Sequence, residues 1–362
     1  MELKFRNIAF YLPQFHPIPE NDNWWGKGFT EWTNVGKAKR YFTGHYQPRV
    51  PADLGYYDLR VPETRQAQAD MASKYGIEGF AYWHYWFGNG KRLLERPFNE
   101  VLVTGKPDFP FCLSWANETW KGFDHGLFNR NVLIEQTYPG DKDFENHFYE
   151  VLPAFLDKRY IQVHGKPLFL ILKPFDIPHS KSFIEQWQNL AIRNGLKGIY
   201  FVGQTIRFEE YNSILEMSFD AVNVLRLQDF MRFGRSFPVL VIDKILNELF
   251  GLPNIYNFKQ VIKHFTGNED KEINCIPTVL SGWDHSPRSG KRGLILYNAT
   301  PKLFEQHVAA ILEEIKHKPF EDRLVFIKSW NEWAEGNYME PDLKYGTGFL
   351  DALKRAVSKV QF

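Results

Sequence analysis

The chain alternates between short, unbroken apolar runs and longer stretches in which apolar residues recur every three or four positions. Short runs rich in β-branched and aromatic residues predict strands buried on both faces. Eight segments fit: residues 8–12, 79–83, 111–115, 168–172, 199–203, 221–225, 276–280 and 324–327. Helical periodicity predicts helices over 62–75, 143–156, 182–193 and 346–360, with Gly76 and Gly195 closing two of them. A further helix starts at Pro301 behind a Thr300 cap, with Phe304, Val308, Ile311 and Ile315 on one face. Strands alternating with helices, without a Gly-rich nucleotide fingerprint, predict an α/β fold: a single (β/α)8 TIM barrel filling residues 1–362 as one domain. The pattern is weakest over residues 226–267. Residues 14–60 carry Trp24, Trp25, Phe29, Trp32 and Tyr46, too aromatic for disorder, and are expected to form a cap loop over the barrel mouth.

Several strands end alike, with an apolar run, then Trp or Tyr, then a polar or charged residue. Tyr82-Trp83-His84-Tyr85, Trp115-Ala116-Asn117-Glu118, Trp283-Asp284-His285 and Trp330-Asn331-Glu332-Trp333 all obey this rule. In a barrel such ends converge on one face, so they become candidate pocket residues together. A lone His84 or Asp284 could equally be a hydrogen-bonded structural group. The last ending is the richest, because Glu332 and Glu335 lie three residues apart beside indoles and an amide. Two carboxylates flanking a scissile bond are the minimum apparatus of glycosidic chemistry. The alternative, a solvated turn, would leave Trp330 and Trp333 beside water at considerable cost.

These motifs carry a resemblance. Asn331-Glu332-Trp333-Ala334-Glu335-Gly336 is similar to the signature ending the last barrel strand of glycoside hydrolase family 99, the endo-α-mannosidases and endo-α-mannanases. Residues 9–17, 28–35, 79–87 and 114–118 resemble the WbsX-type family, related to family 99 and described as glycosyltransferases of surface-polysaccharide clusters. The resemblance implies a carbohydrate-active enzyme of retaining endo-α-mannosidase type, or a transferase of the same fold in O-antigen synthesis. A non-catalytic glycan-binding protein is the third reading.

By the same resemblance Glu332 is the base assisting attack by the sugar's own 2-hydroxyl. Glu335 is the acid that protonates the leaving oxygen and then activates water. That division needs Glu335 raised in pKa near apolar rings and Glu332 kept ionised. Glu118 would hold hydroxyls of the reacting sugar, and is the second candidate for catalysis. Tyr11, Trp83, His84, Tyr85, Trp115, Asn117, Trp283, Asp284, Asn331 and Trp333 complete the expected substrate contacts.

Composition is compatible with the glycan partner that the resemblance implies. With 44 basic against 43 acidic residues, no nucleic acid or anionic membrane is implied. Aromatics reach 17%, and Trp and Tyr near strand ends suit stacking on sugar rings. Cys112 and Cys275 sit in separate apolar runs and read as buried reduced thiols. Residues 1–7 lead directly into the first strand, predicting a cytoplasmic protein with neither signal peptide nor membrane span. No cofactor or metal is expected, since the histidines are scattered. Asp141-Lys142-Asp143 has the form of a metal-binding D-x-D, but it follows Pro139-Gly140 and reads better as a helix N-terminal cap.

Overall fold

The computed structural model describes residues 4–122, 131–233, 245 and 253–361. Eight strands close a barrel: β1 (Arg6–Tyr11), β2 (Gly79–His84), β3 (Phe111–Trp115), β4 (Lys166–Ile171), β5 (Tyr200–Thr205), β6 (Ala221–Val224), β7 (Cys275–Leu280) and β8 (Leu324–Lys328). Every neighbouring pair is parallel. β1 lies between β8 (Arg6↔Leu324) and β2 (Ile8↔Gly79), and β3 pairing with β4 (Leu113↔Phe169) completes the ring. The chain is therefore a (β/α)8 TIM barrel. Each strand lies within two residues of its predicted span at either end, because runs buried on both faces have little freedom to shift.

Alternation along the strands decides which side chains enter the barrel. Phe10 stacks on Trp83 at 4.8 Å and on Phe326 at 5.2 Å inside it. Gln204 donates to Ser114 across the interior at 2.7 Å, and Asn223 donates to Thr278 at 2.8 Å. The opposite faces meet the helices. Phe169 and Phe201, for example, pack against Trp187 of the helix Ser180–Arg193.

The helix Pro301–Ile315 follows its predicted face, with Phe304, Val308, Ile311 and Ile315 fully buried and Thr300 accepting from the Leu303 amide. The helix Arg96–Thr104 was not predicted, although Pro97 in its first turn and Gly105 behind it mark both ends. Within the weakly patterned region, Leu227–Phe233 is helical and Asn254–Asn257 is a strand; residues 234–244 and 246–252 lie outside the described residues. Residues 14–60 contain two short helices, Pro19–Trp25 and Glu31–Gly36. Cys112 and Cys275 are buried and free. Among the described residues no helix is long and apolar enough to cross a membrane.

The expectation that Asp141 or Asp143 caps its own helix is corrected. Gly140 occupies the cap position of Asp141–Phe155, with no side-chain cap bond. Asp143 turns inward instead, accepting from the Trp86 indole at 2.9 Å and the Asn89 amide at 2.7 Å. Its carboxylate serves the loop after β2, where buried donors need an acceptor.

Candidate active site

Glu332 and Glu335 follow β8 on a tight hairpin. Asn331–Glu332 pairs antiparallel with Asn337–Tyr338, and the single helical turn Trp333–Glu335 bridges them. Gly336 makes the reversal possible. Its φ is +65°, and a Cβ there would stand 2.8 Å from both the Asp284 backbone nitrogen and Cβ. The turn directs both glutamates into a cleft of about 220 Å³ at the C-terminal ends of the strands.

Glu118, Trp283, Glu332 and Glu335 line that cleft together, with Trp83, Tyr85 and Trp120 among its aromatic walls. A second cavity of about 360 Å³ extends toward the ends of β4 to β6, sharing Trp83, Lys173, Trp283 and Lys328 with the first. The cleft and its extension form one trough.

Electrostatics divide the two glutamates. Glu332 accepts from the Trp83 indole at 2.7 Å, and its other oxygen lies 3.4 Å from the Lys328 ammonium. Glu335 is ion-paired to Arg288, accepts from Asn337 at 3.3 Å and lies 3.9 Å from His285. The two carboxyls also hydrogen-bond each other. Burial pushes Glu332 up, with neighbouring Glu335 adding to the effect against Lys328. Burial acts on Glu335 too, but Arg288, Lys328 and His285 outweigh it and hold that carboxyl well below the ordinary range. These influences favour Glu332 over Glu335 as holder of a proton, opposite in direction to the polarity expected from the sequence. The physical reason is Arg288, which lies close to Glu335.

Seven of the other expected contacts are not among the residues lining the cleft. Tyr11, His84 and Trp115 each stand one position after an inward-facing residue and so point outward. Tyr11 donates to Gln68 at 2.7 Å. His84 meets His147 at 2.8 Å, and burial holds both rings neutral. Trp115 donates to the Trp86 carbonyl at 3.0 Å. Asn117 clasps the Lys173 backbone, donating to its carbonyl and accepting from its amide, both at 2.8 Å. Asn331 does the same to Leu12. Trp333 is buried, donates to Glu340 at 2.6 Å and stacks on Tyr338 at 3.9 Å.

Asp284 is also buried away from the cleft. It accepts from Gln47 and from His45, each at 2.7 Å, and from Ser286 at 2.6 Å. The Tyr41 amide donates to Nδ1 of His45, which leaves Nε2 as the proton donor to Asp284. Burial works against the charge on Asp284, yet these bonds and nearby Arg49 hold its pKa down.

Lys328, Arg288 and Glu31 were missed. Lys328 closes an otherwise apolar strand and lies 5.2 Å from the Trp83 ring and 5.6 Å from that of Trp283. A lysine at an inward position of a buried strand is a readable signal. Arg288 sits in a polar, basic stretch that looks like ordinary surface, and nothing local marks Glu31 as its partner. Among the described residues no three His, Cys, Asp or Glu side chains are grouped to hold a metal ion.

Solved structures share the fold. The GH99 endo-α-mannosidase of Bacteroides thetaiotaomicron, in complex with bis-tris-propane, superposes with a TM-score of 0.60 at 16% identity, over 99% of this chain and 98% of its own. A glycoside hydrolase-like protein gives 0.63 at 15%, over 99% and 95%. In sequence, protein WxcX of Xanthomonas campestris pv. campestris (strain B100) is 36% identical over 353 residues, 97% of this chain. WxcX of strain ATCC 33913 matches at the same identity and coverage. The chain spans about half the length of these relatives, 49%. The family described as glycosyltransferase WbsX matches residues 7–353, from the first barrel strand into the last helix, and the chain belongs to that family.

Proposed function

We propose that the chain is a carbohydrate-active enzyme working on the glycosidic bond of an α-linked, mannose-type glycan, with Glu332 and Glu335 as its proton-handling pair. The observation that carries this reading is the hydrogen-bonded pair itself, set in an aromatic-walled cleft with the pKa values of its two carboxyls driven apart. Trp83, Trp283 and Tyr85 offer faces for a sugar ring, and Glu118 offers a carboxylate for its hydroxyls.

In this scheme the proton first crosses from Glu332 to Glu335 along their shared hydrogen bond. Glu332 then takes the proton of the sugar's 2-hydroxyl as that oxygen attacks the anomeric carbon. The bond to the leaving oxygen breaks as Glu335 protonates it. Water or an acceptor hydroxyl next opens the resulting three-membered ring, losing its proton to Glu335 while Glu332 returns a proton to O2. Residues 14–60 act as the cap, with Gln14 in the cleft wall and Trp24 packed edge-on to Trp120 at 6.0 Å.

The family description favours a second reading, in which an acceptor sugar replaces water and the product is a longer polysaccharide. One experiment tests both. The purified protein is incubated with an α-mannan oligosaccharide, and separately with nucleotide sugars plus acceptor, and products are read by mass spectrometry. Shortened oligosaccharide supports hydrolysis; extended acceptor supports transfer. No product in either tube counts against an enzyme of this class.

A further inference from the structure

We propose that Glu31, acting through Arg288, sets the number of protons held by the Glu332–Glu335 pair; this rests on the proton-handling role proposed for that pair. Glu31 opens the helix Glu31–Gly36 and does not line the cleft. Arg288 comes from the turn Ser286–Ser289 after β7. Its guanidinium grips Glu31 with two prongs, Nε to Oε2 at 3.3 Å and Nη2 to Oε1 at 3.2 Å, while Nη1 holds Glu335. Three loops, after β1, β7 and β8, thus meet on one buried cation.

Counting charges gives the argument. Glu31 and Glu332 are buried and Glu335 is largely so, and among the described residues Arg288 and Lys328 are the two permanent cations in contact with these three carboxyls. The other groups facing them are His285 beside Glu335, Lys37 beyond the helix of Glu31, and Tyr85 and Glu118 on the cleft wall. An excess carboxylate away from water retains its proton. That proton falls where the cation is weakest. Glu31 and Glu335 both contact Arg288, whereas Glu332 contacts Lys328 at 3.4 Å and feels Arg288 only from farther off. Without Glu31, two carboxylates would face two cations, and the pair would lose the proton its acid step needs. Glu31 is therefore a positioning residue for protonation, acting without touching substrate.

The test uses protein carrying 13C-carboxyl glutamate, with the Glu332 resonance assigned by its loss in Glu332→Gln. Glu31→Gln should lower the Glu332 titration midpoint by at least about one pH unit, a tenfold change in proton affinity. Adding Arg288→Gln to that variant should raise it again, because Lys328 alone then faces both glutamates. Arg288→Gln by itself should raise the Glu335 midpoint, and this arm stands if Glu31→Gln does not fold. An unmoved Glu332 midpoint in folded Glu31→Gln, or an unmoved Glu335 midpoint in Arg288→Gln, overturns the proposal. The titration needs no substrate. An inactive parent enzyme would sink the proposed function alone, and unmoved midpoints in an active enzyme would sink this inference alone.

Discussion

The Asn331 side chain pairs with the main chain of Leu12 in both directions, accepting from its N–H at 2.7 Å and donating to its carbonyl at 3.0 Å. It supplies the next rung of the ladder just beyond β1, where β8 has already turned away. The residue before Glu332 is thereby tied to the first strand. Asn331→Ala would leave two buried backbone groups unpaired, at about 1–3 kcal/mol each. We expect a loss of about 2–4 kcal/mol in denaturant-measured stability. A loss within the ordinary surface range of about 0.5 kcal/mol would show that water or a shifted backbone replaces the pairing.

Glu332→Gln and Glu335→Gln should each lower turnover by about 10²–10⁴-fold with folding intact, since an amide keeps the shape and loses the proton chemistry. Turnover and circular dichroism on the same samples check both halves. Near-normal rates in either variant would transfer the chemistry elsewhere, with Glu118 first in line.

Glu340 makes stability depend on pH. Its carboxyl accepts from Trp333 at 2.6 Å, Gln68 at 2.7 Å and Tyr57 at 2.8 Å, yet burial still pushes it up to about 7 from 4.5. A raised carboxyl binds its proton more tightly folded than unfolded. Its contribution is complete below pH 4.5 and is lost as pH rises through about 7, a difference of about 3 kcal/mol. Glu340→Gln should flatten that decline while leaving the part due to Glu332, which has the same sign. Denaturation midpoints at mildly acidic and neutral pH measure it; a variant declining as steeply as the parent would refute the assignment.

Participation by the sugar's own 2-hydroxyl predicts that no glycosyl–enzyme ester forms. Protein incubated with a 2-fluoro sugar bearing a good leaving group should remain unlabelled by mass spectrometry. A cyclic amine sugar mimic should still inhibit it competitively. An adduct on Glu332 would instead mean a covalent nucleophile and the ordinary retaining route.

Sequence patterning reached the barrel because it is written locally, in runs such as Phe111–Trp115 that allow only one kind of burial. Period-two alternation, applied further, would have trimmed the site as well. Once Phe10 and Trp83 face inward, Tyr11 and His84 must face the helices. Asn117, Asn331 and Asp284 needed the structure, since an amide or carboxylate at a strand end can serve a backbone as well as a ligand. The opposite shifts of Glu332 and Glu335 were beyond reach, because Arg288 comes from a separate loop and meets Glu335 only in space.

Asp284 and Gly336 make the rim of the barrel a unit of inheritance. Asp284 fastens His45 and Gln47 to the loop after β7, while Gly336 admits its Cβ and backbone against the turn carrying Glu335. A chimera that took residues 14–60 from a relative would arrive without its anchor unless position 284 came too. A bulkier residue at 336 would spread the same three loops apart. Redesign of substrate preference in this barrel is best begun on the side of β4 to β6, where the second cavity lies away from Asp284 and Gly336.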